Sequence, residues 1–365
     1  SLATPWRLVL EGVRGETPAI QPRGQLPVNS PALAPFIQKG LVMEERTINV
    51  GVKPLRIFRV GGRLNALGLR LQPLALKDRQ QGLSFLPELS KSAEALVAIN
   101  GGFFNRINQL PLGALRRNGT WLSGPILNRG VIAWNRDSTL HFGRLQLQQE
   151  LQVNSSKRWR LDFLNSGYVQ KGLSRYTPNW GPRYRALSGN EEALLIRRGR
   201  VEKAWGQASL RRGVPIPTGT DLIVARGGAG LPAGRGDRVK LFLWSRSALG
   251  RHANVLGGGP LLMQQGRIVL NGRSEGFSPS FLHLTAPRTV VGQGRDGQWM
   301  LTVHGAASSD PTLLETALAA QQLGFTEALN LDGGSSTTLV VSDQTVMNGR
   351  GSTPRVHNGL GLIRS

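Results

Sequence analysis

The sequence lacks several features that would assign it to common protein classes. Its 365 residues include no cysteine, which excludes disulfides, thiolate metal sites and cysteine nucleophiles together. No apolar run approaches the roughly 18 residues of a membrane span, so we expect no transmembrane segment in this chain. Zinc-finger spacing, RNP-type aromatic motifs and basic helices are also missing, and we therefore expect no nucleic-acid partner.

Motifs for several enzyme classes are absent as well. The phosphate-binding pattern G-x-x-x-x-G-K-[ST] does not occur, which excludes a P-loop nucleotidase. A Ser-His-Asp hydrolase has no support, because G-x-S-x-G is missing and only 5 histidines are present. No dense cluster of carboxylates and histidines appears in the sequence, so we expect no metal and no other cofactor.

What is abundant is glycine, proline and positive charge. The 47 glycines and 21 prolines favour short strands and many turns over long helices. Lys and Arg number 45 against 22 Asp and Glu, giving a net charge of +23, which indicates either solubility or attraction to an anionic partner. The chain opens on SLATPW without Met, and the lack of cysteine fits an envelope or secreted protein. We therefore expect a periplasmic or extracellular location.

Local patterns predict a mixed α+β fold, with a strand-rich mixed sheet braced by a few helices. The clearest helix is Thr312 to Phe325, whose apolar residues recur at helical spacing between Pro311 and Gly324. A helix after Pro87 is predicted to run into a strand that ends at Asn100, and Leu55 to Leu71 reads as a hairpin around Gly61 and Gly62. We expect residues 1–94 to form an N-terminal β extension, with a short helix and a hairpin, that packs on a main domain of residues 95–365.

The stretch NLDGGSSTT, residues 330–338, places an acid where an apolar strand should end. Asp332 would be presented at the sheet edge, and Gly333 and Gly334 would let a ligand approach the backbone. The four hydroxyls that follow could donate to phosphate or sugar oxygens. The alternative is a glycine-rich turn that Asp332 caps. An aspartic-protease-like enzyme is a further, less favoured alternative, because its loop D-[TS]-G-[ST] would need a second copy that the chain lacks.

Three other blocks combine strand ends with residues able to bind oxygen-rich ligands. In AINGGFFN, Asn100 could hold a sugar hydroxyl or a phosphate oxygen, and Phe103 could form a pocket floor or belong to the core. VLGGGP, residues 255–260, is a glycine-rich bend before a hairpin. In APRT, Arg288 stands at a strand entrance, where a planar guanidinium could clamp phosphate or simply lie exposed in a loop.

Taken in order, these four blocks resemble the phosphodiester glycosidase family, which includes the uncovering enzyme and bacterial members described as exopolysaccharide-related. The resemblance rests on GGFF, G-G-P, P-R-T-x-x-G and N-L-D-G-G over roughly residues 95–363, with VHNGLGLI as the last strand. Two positions depart from the family pattern. Ser335 stands where a third glycine is usual, and His304-Gly305 stands where the family commonly has Asp-Gly.

The resemblance implies a hydrolase that cleaves a sugar-1-phosphodiester in an envelope or exopolysaccharide glycan. Asp332 would be the base or nucleophile, Arg288 would hold the phosphate, and Glu275 and Glu315 would be reserve acids, with Glu315 alternatively a structural brace. A non-catalytic binding module for anionic glycans remains the competing interpretation, supported by the charge and by His304. The predicted substrate-binding residues are Asn100, Gly101, Gly102, Phe103, Gly258, Gly259, Asn330, Gly333, Gly334, Ser335, Ser336, Thr337 and His304.

Overall fold

The computed structural model describes residues 30–306 and 309–365, and it is rich in antiparallel strands. Five short α-helices occur in this part of the chain: Ala34–Gln38, Leu86–Ser92, Gln207–Arg212, Pro279–His283 and Leu313–Gln322. Four single 3-10 turns accompany them: Pro178–Trp180, Ala248–Arg251, Gly272–Glu275 and Gly334–Ser336. The predicted strand-rich mixed α+β class is therefore confirmed.

A seven-stranded sheet forms the centre of the molecule. All of its strand pairs are antiparallel, and its strand order is Val42–Val50, Lys53–Gly62, Gly297–Gly305, Arg288–Gly294, Phe325–Asn330, Leu261–Gln264 and Arg267–Ile268. Successive side chains of a strand point to opposite faces. Val290 accordingly belongs to the core that includes helix Leu313–Gln322, and Val291 belongs to the core on the other face.

A five-stranded antiparallel sheet shares the second of these cores. Its strand order is Gln344–Asn348, Thr338–Val341, Val97–Asn100, Asn358–Arg364 and Leu69–Ala75. Ile99, Leu339 and Leu360 of this sheet lie in one buried cluster with Phe58 and Leu329 of the seven-stranded sheet. Strands that are distant in sequence therefore end close together in space.

The remaining strands come mainly from residues 104–257. Two further five-stranded sheets have the orders His141–Arg144, Gly130–Trp134, Asn254–Gly257, Leu115–Arg117, Thr120–Ser123, and Phe163–Leu164, Gly172–Tyr176, Thr220–Arg226, Glu191–Arg197, Arg200–Trp205. A three-stranded sheet comprises Lys157–Arg160, Gln148–Val153 and Val239–Trp244. Three two-stranded pairs join Arg183–Tyr184 with Val214–Pro215, Ser84–Phe85 with Arg355–Val356, and Phe104–Asn105 with Leu110–Pro111.

The predicted local elements are mostly confirmed. Helix Leu313–Gln322 begins after an N-cap at Thr312 and ends before Gly324, which has a positive φ of 81°. Helix Leu86–Ser92 leads into strand Val97–Asn100, as the sequence predicts. The hairpin predicted for Leu55 to Leu71 is wrong, because Lys53–Gly62 pairs with Val42–Val50 and Leu69–Ala75 pairs with Asn358–Arg364.

The N-terminal β extension is not confirmed. Of the residues 1–94, the structure describes 30–94, and their strands enter both central sheets. Lys53–Gly62 lies between two strands of the seven-stranded sheet, and Leu69–Ala75 is an edge strand of the five-stranded one. Residues 1–29 lie outside the described part of the chain.

Candidate active site

The four sequence blocks meet at one edge of the paired central sheets. The backbone N–H of Asp332 donates to the carbonyl of Gly101 at 2.9 Å, which joins the NLDGG and INGG segments directly. The N–H of Gly259 donates to the carbonyl of Asn330 at 2.7 Å, which brings the glycine-rich bend to the same place. Arg288 begins the neighbouring strand, and its side chain passes beside Gly333.

Asp332 is only partly exposed, and its environment alters its acidity. Loss of solvation on burial raises the pKa of the Asp332 carboxyl to about 6. The Ser336 hydroxyl, Arg106, the Gly333 N–H and Arg288 all act in the opposite direction and lower this pKa. The Gly333 N–H donates to Oδ1 at 3.0 Å. At neutral pH the carboxyl is therefore mostly ionised, yet close enough to its pKa to accept and release a proton.

Arg288 carries a buried guanidinium with incomplete pairing. The side chain is 1% exposed, and its Nη2 donates to the carbonyl of Leu284. Among the described residues, no acceptor pairs with its Nε. Burial lowers the pKa of Arg288 to about 10, so the group stays protonated at neutral pH, while Asp310 and Asp332 oppose the shift and Arg350 adds to it. A buried cation with an unused donor is a suitable site for an anion.

Two further arginines lie in the same region and were missed by sequence reasoning. Arg106 is exposed, donates from Nη2 to the Ser335 hydroxyl at 2.7 Å and lowers the pKa of Asp332. Arg350 pairs with Asp310 at 3.1 Å and lies close enough to Arg288 to affect its pKa. The signal for Arg106 was its place just after the GGFF block, but a single arginine in a basic chain gives little specificity.

The two predicted substrate-binding asparagines are buried and mainly hold the loops together. Asn100 donates to the carbonyl of Asp332 at 2.7 Å and accepts from the hydroxyl of Thr289 at 2.7 Å and from the N–H of Thr338 at 3.0 Å. Asn330 donates to the carbonyls of Gly259 and Leu331, both at 2.7 Å. Both amides thus fix the backbone that carries Asp332, and this geometry favours a positioning role over direct substrate contact.

Most of the predicted glycines are needed because other atoms lie against them. A Cβ on Gly101 would come within 2.0 Å of Asn358 Oδ1, and one on Gly102 within 2.3 Å of the Gly257 carbonyl. Gly258 similarly packs on the carbonyl of Asn330, and Gly259 on Glu275 with a positive φ of 119°.

The two glycines that follow Asp332 occupy different positions. A Cβ on Gly333 would lie 2.9 Å from the Pro287 carbonyl and 3.6 Å from Arg288 Cδ, so this glycine lets the arginine side chain pass. Gly334 has a positive φ of 63° and no atom in its way, which is what a turn requires.

The remaining predicted substrate contacts differ in how far their side chains are exposed to solvent. Ser335 is partly exposed, whereas Ser336 and Thr337 are buried, at 1% and 0% exposure. The Thr337 hydroxyl has no partner among the described residues. Phe103 is 7% exposed and packs against Phe277 and Phe281, with ring centroids 5.4 and 5.8 Å apart, so it belongs to the core.

Glu275 is predicted as a reserve acid, whereas its contacts in the structure favour a structural brace. Its carboxylate is fully buried and accepts from the N–H of Gly130 at 2.8 Å and from the N–H of Leu261 at 3.0 Å. Arg144 donates to it from Nε at 3.1 Å. With three protein donors on a fully buried carboxylate, Glu275 has little capacity left for substrate.

Glu315 lies at the N-terminus of helix Leu313–Gln322, and the alternative of a brace is the one that the geometry favours. It accepts from the N–H of Thr312 at 2.7 Å while Thr312 caps the Glu315 N–H, which forms a capping box. Lys53 also contacts its Oε2 at 3.0 Å.

We expect Glu315→Ala to lower the free energy of unfolding by about 1 kcal/mol, because one helix cap is weakened, and to leave turnover per folded molecule unchanged. Urea unfolding followed by circular dichroism measures the first effect, and an assay at saturating substrate measures the second. A loss of kcat greater than about tenfold in the folded variant would restore Glu315 as a catalytic candidate.

His304 is predicted to contact substrate, and the structure places its side chain inside the protein. It is 2% exposed, its Nε2 lies 3.0 Å from the Thr302 hydroxyl, and its ring meets Phe58 edge-on at 5.9 Å. Burial lowers its pKa to about 3, with Arg56 adding to the effect, so the imidazole is neutral at working pH. The nearby acid is Asp310, which accepts from the N–H of Gly305 at 3.2 Å.

The part of the chain that carries Arg288 and Asp332 is similar to a known protein family. Residues 238–363 match the family model for phosphodiester glycosidase. This part of the chain is therefore similar to the phosphodiester glycosidase family. The resemblance seen in the sequence is thereby confirmed, and the matched range includes Arg288 and Asp332 but not Asn100 or Arg106.

Three solved structures share the fold. A hypothetical protein from Synechocystis is 37% identical with a TM-score of 0.85, over 89% of this chain and 62% of its own. A putative exported protein from Burkholderia pseudomallei is 19% identical with a TM-score of 0.67, over 86% and 75%. The catalytic domain of zebrafish N-acetylglucosamine-1-phosphodiester alpha-N-acetylglucosaminidase, auto-inhibited by its pro-peptide, is 14% identical with a TM-score of 0.51, over 89% and 83%.

These matches show the fold. The chain spans about 62% of the length of the Synechocystis protein. No functionally curated protein matches it. Among the residues that the structure describes, no helix is long and apolar enough to cross a membrane, and no group of three or more acidic or histidine side chains could hold a metal ion.

Proposed function

We propose that the protein is a hydrolase that cleaves the bond between an anomeric carbon and a phosphodiester oxygen. One observation carries this proposal: a carboxyl whose pKa is raised to about 6 lies at the same loop edge as a buried arginine with an unused donor. The description of the family that residues 238–363 match supports the same substrate class.

Cleavage of this bond needs one protein group that acts at the anomeric carbon and several that bind the phosphate. In one route, Asp332 takes a proton from water as the water oxygen bonds to the anomeric carbon, and the C1–O bond breaks with both electrons going to the phosphate oxygen. In the other route, Asp332 attacks the carbon itself, and water then hydrolyses the glycosyl ester. Both routes give a free sugar and a phosphomonoester.

Positive charge replaces the proton donor that most glycosidases need. A phosphomonoester is a good leaving group, so neutralising its growing charge matters more than protonating it. Arg288 supplies a cation that is fixed by burial, and Arg106 supplies an exposed one beside Ser335. Fixed cations in a partly dehydrated site stabilise developing negative charge more strongly than the same groups in water.

The proposal extends to the natural substrate and to the location of the protein. A net charge of +23 would favour an acidic envelope glycan or exopolysaccharide as the natural substrate, in the periplasm or outside the cell.

The reaction can be tested with a matched pair of chromogenic substrates. One is a sugar-1-phosphodiester of nitrophenol, assayed with an added phosphomonoesterase that releases coloured nitrophenol from the nitrophenyl phosphate product. The other is the same sugar linked directly to nitrophenol without phosphate. We expect turnover of the first at least about a hundredfold faster than the second, because the arginines act only on phosphate. Tight binding of the first substrate without turnover would instead support the alternative of a non-catalytic glycan-binding module.

Arg288→Lys tests the phosphate clamp. We expect kcat/KM on the phosphodiester to fall by about a hundredfold to a thousandfold, because an ammonium group keeps the charge but loses the planar fork. Arg246→Lys is the matched control, since Arg246 is exposed and lies outside the site. Equal activity of Arg288→Lys and wild type, with both folded, would remove Arg288 from the mechanism.

A further inference from the structure

A second arginine, Arg129, lies at the start of a strand, as Arg288 does. Arg129 immediately precedes strand Gly130–Trp134, whereas Arg288 begins strand Arg288–Gly294. The two strand starts lie at the same edge. Gly258 donates to the carbonyl of Gly130 at 2.9 Å, and the next residue, Gly259, donates to the carbonyl of Asn330. No sequence motif had drawn attention to Arg129.

An aromatic cluster, formed by Phe103, Phe277 and Phe281, separates the two guanidinium groups. Arg129 lies 4.2 Å from the ring of Phe277 and 5.4 Å from that of Phe103. Arg288 lies 5.8 Å from the ring of Phe281 on the other side. Phe277 and Phe281 are stacked with centroids 4.8 Å apart. One layer of rings therefore holds both cations in fixed places.

Arg129 has no acidic partner of its own among the described residues. Its Nε donates to the backbone carbonyl of Glu275 at 3.3 Å, and no ion pair involves it. The Glu275 carboxylate is already held by Arg144 and two N–H groups. Desolvation lowers the pKa of Arg129 to about 10, opposed by Tyr168 and Glu275, so the side chain remains a cation. Phe103 and Phe277 bind the face of the guanidinium, which leaves its edge donors for another group.

We propose that Arg129 forms a second anion-binding subsite for the part of the substrate beyond the scissile phosphate. The substrate class is then a sugar-1-phosphodiester whose aglycone carries another phosphate or a carboxylate, as in a glycan chain with repeated anionic groups. The identity of the scissile bond rests on the proposed function, whereas the anion site itself does not. Arg288 binds the phosphate that leaves, and Arg129 binds the next anionic group of the aglycone.

The kinetic test compares three substrates that differ only in the aglycone. One aglycone is neutral, one carries a phosphate, and one carries a carboxylate. For Arg129→Gln we expect KM to rise about tenfold to a hundredfold on at least one anionic aglycone, with kcat kept and the neutral substrate little affected. The aglycone with the larger increase identifies the anion. An equal loss on all three substrates, or no loss on any, would overturn the proposal.

A binding test separates this proposal from the proposed function. Glycerol 1,3-bisphosphate is titrated into wild type, Arg129→Gln and the exposed-arginine control Arg246→Gln by calorimetry. We expect affinity to fall about tenfold or more in Arg129→Gln alone. Should wild type cleave none of the substrates but bind the probe through Arg129, the reaction is wrong and the subsite stands. Equal binding by all three proteins contradicts the subsite.

Tyr168→Glu keeps the test decisive if Arg129→Gln does not fold. Tyr168 is partly exposed and lies close enough to Arg129 to raise its pKa, so this variant introduces a carboxylate near Arg129 without opening the core. We expect the new carboxylate to pair with Arg129 and weaken binding of the bisphosphate about tenfold, and a high salt concentration to reduce the difference. Unchanged affinity in the folded Tyr168→Glu variant would again contradict the subsite.

Discussion

Asp332→Asn is expected to lower kcat on a sugar-1-phosphodiester by about a hundredfold to ten-thousandfold, because an amide neither accepts a proton from water nor attacks carbon. The change is nearly isosteric, and the amide oxygen can still accept the Gly333 N–H that now contacts Oδ1. The measurement is initial rate under saturating substrate, with circular dichroism to confirm the fold. Full activity in the folded variant would show that Asp332 is not the catalytic carboxylate.

The pH dependence of the wild-type enzyme should report the same group. With a pKa of about 6, the Asp332 carboxyl is protonated at pH 5 and ionised at pH 7. A base or nucleophile acts in its ionised form, so kcat/KM should rise with pH and level off above an apparent pKa near 6. His304 does not contribute in this range, because burial holds its pKa at about 3.

Asp332 should also reduce stability at the pH at which it acts. Its folded pKa of about 6 is above the unfolded value of 3.8, so between these values the folded state binds more protons than the unfolded state, and stability falls as pH rises. Asp332→Asn should therefore resemble wild type below pH 3.8 and become more stable through pH 6. The gain at pH 7 is expected to reach about 2 to 3 kcal/mol, from a shift of roughly two pKa units. Denaturant unfolding at several pH values checks both the sign and the window.

The predicted site residues follow strand ends, which is why the sequence indicates a candidate site there. Asp332 and Arg288 each adjoin a strand with a clear apolar pattern, and the order of the four blocks carried the family resemblance. The same reasoning failed for the hairpin at Leu55 to Leu71. Alternation shows that a segment is a strand but not which strand it pairs with, and Leu69–Ala75 pairs with the last strand of the chain.

The roles of individual polar residues were harder to predict. Asn330 stands two residues before Asp332 and Asn100 ends the strand of the INGG block, yet their amides point inward and bind backbone. Arg106 lies in a turn and Arg129 directly precedes a strand, and at both positions one side chain among many arginines has no distinguishing pattern. The direction of a side chain depends on long-range packing, which a local motif does not encode.

Glu275→Gln is expected to lower the free energy of unfolding by about 3 to 5 kcal/mol, the range found when one member of a buried ion pair is removed. One carboxylate oxygen becomes an NH2 group, which must then face the N–H of Gly130, the N–H of Leu261 or Arg144, all of them donors. Urea unfolding measures the loss, with Glu315→Gln as the control carboxamide, since Glu315 is partly exposed and its cap tolerates glutamine.

The same variant distinguishes a brace from a catalyst. If Glu275 is a structural brace, Glu275→Gln should be less stable, and the fraction that remains folded should have a normal kcat. Substrate binding that stabilises the variant should also restore its kcat. A catalytic acid predicts the reverse, near-normal stability with turnover reduced about a hundredfold or more. The packing of Glu275 against Gly259, whose Cβ would lie 2.8 Å from Oε2, argues for the first outcome, because the carboxylate fixes the bend that also binds Asn330. Loss of Glu275 should therefore disturb the backbone beneath Asp332, without removing any group that reacts.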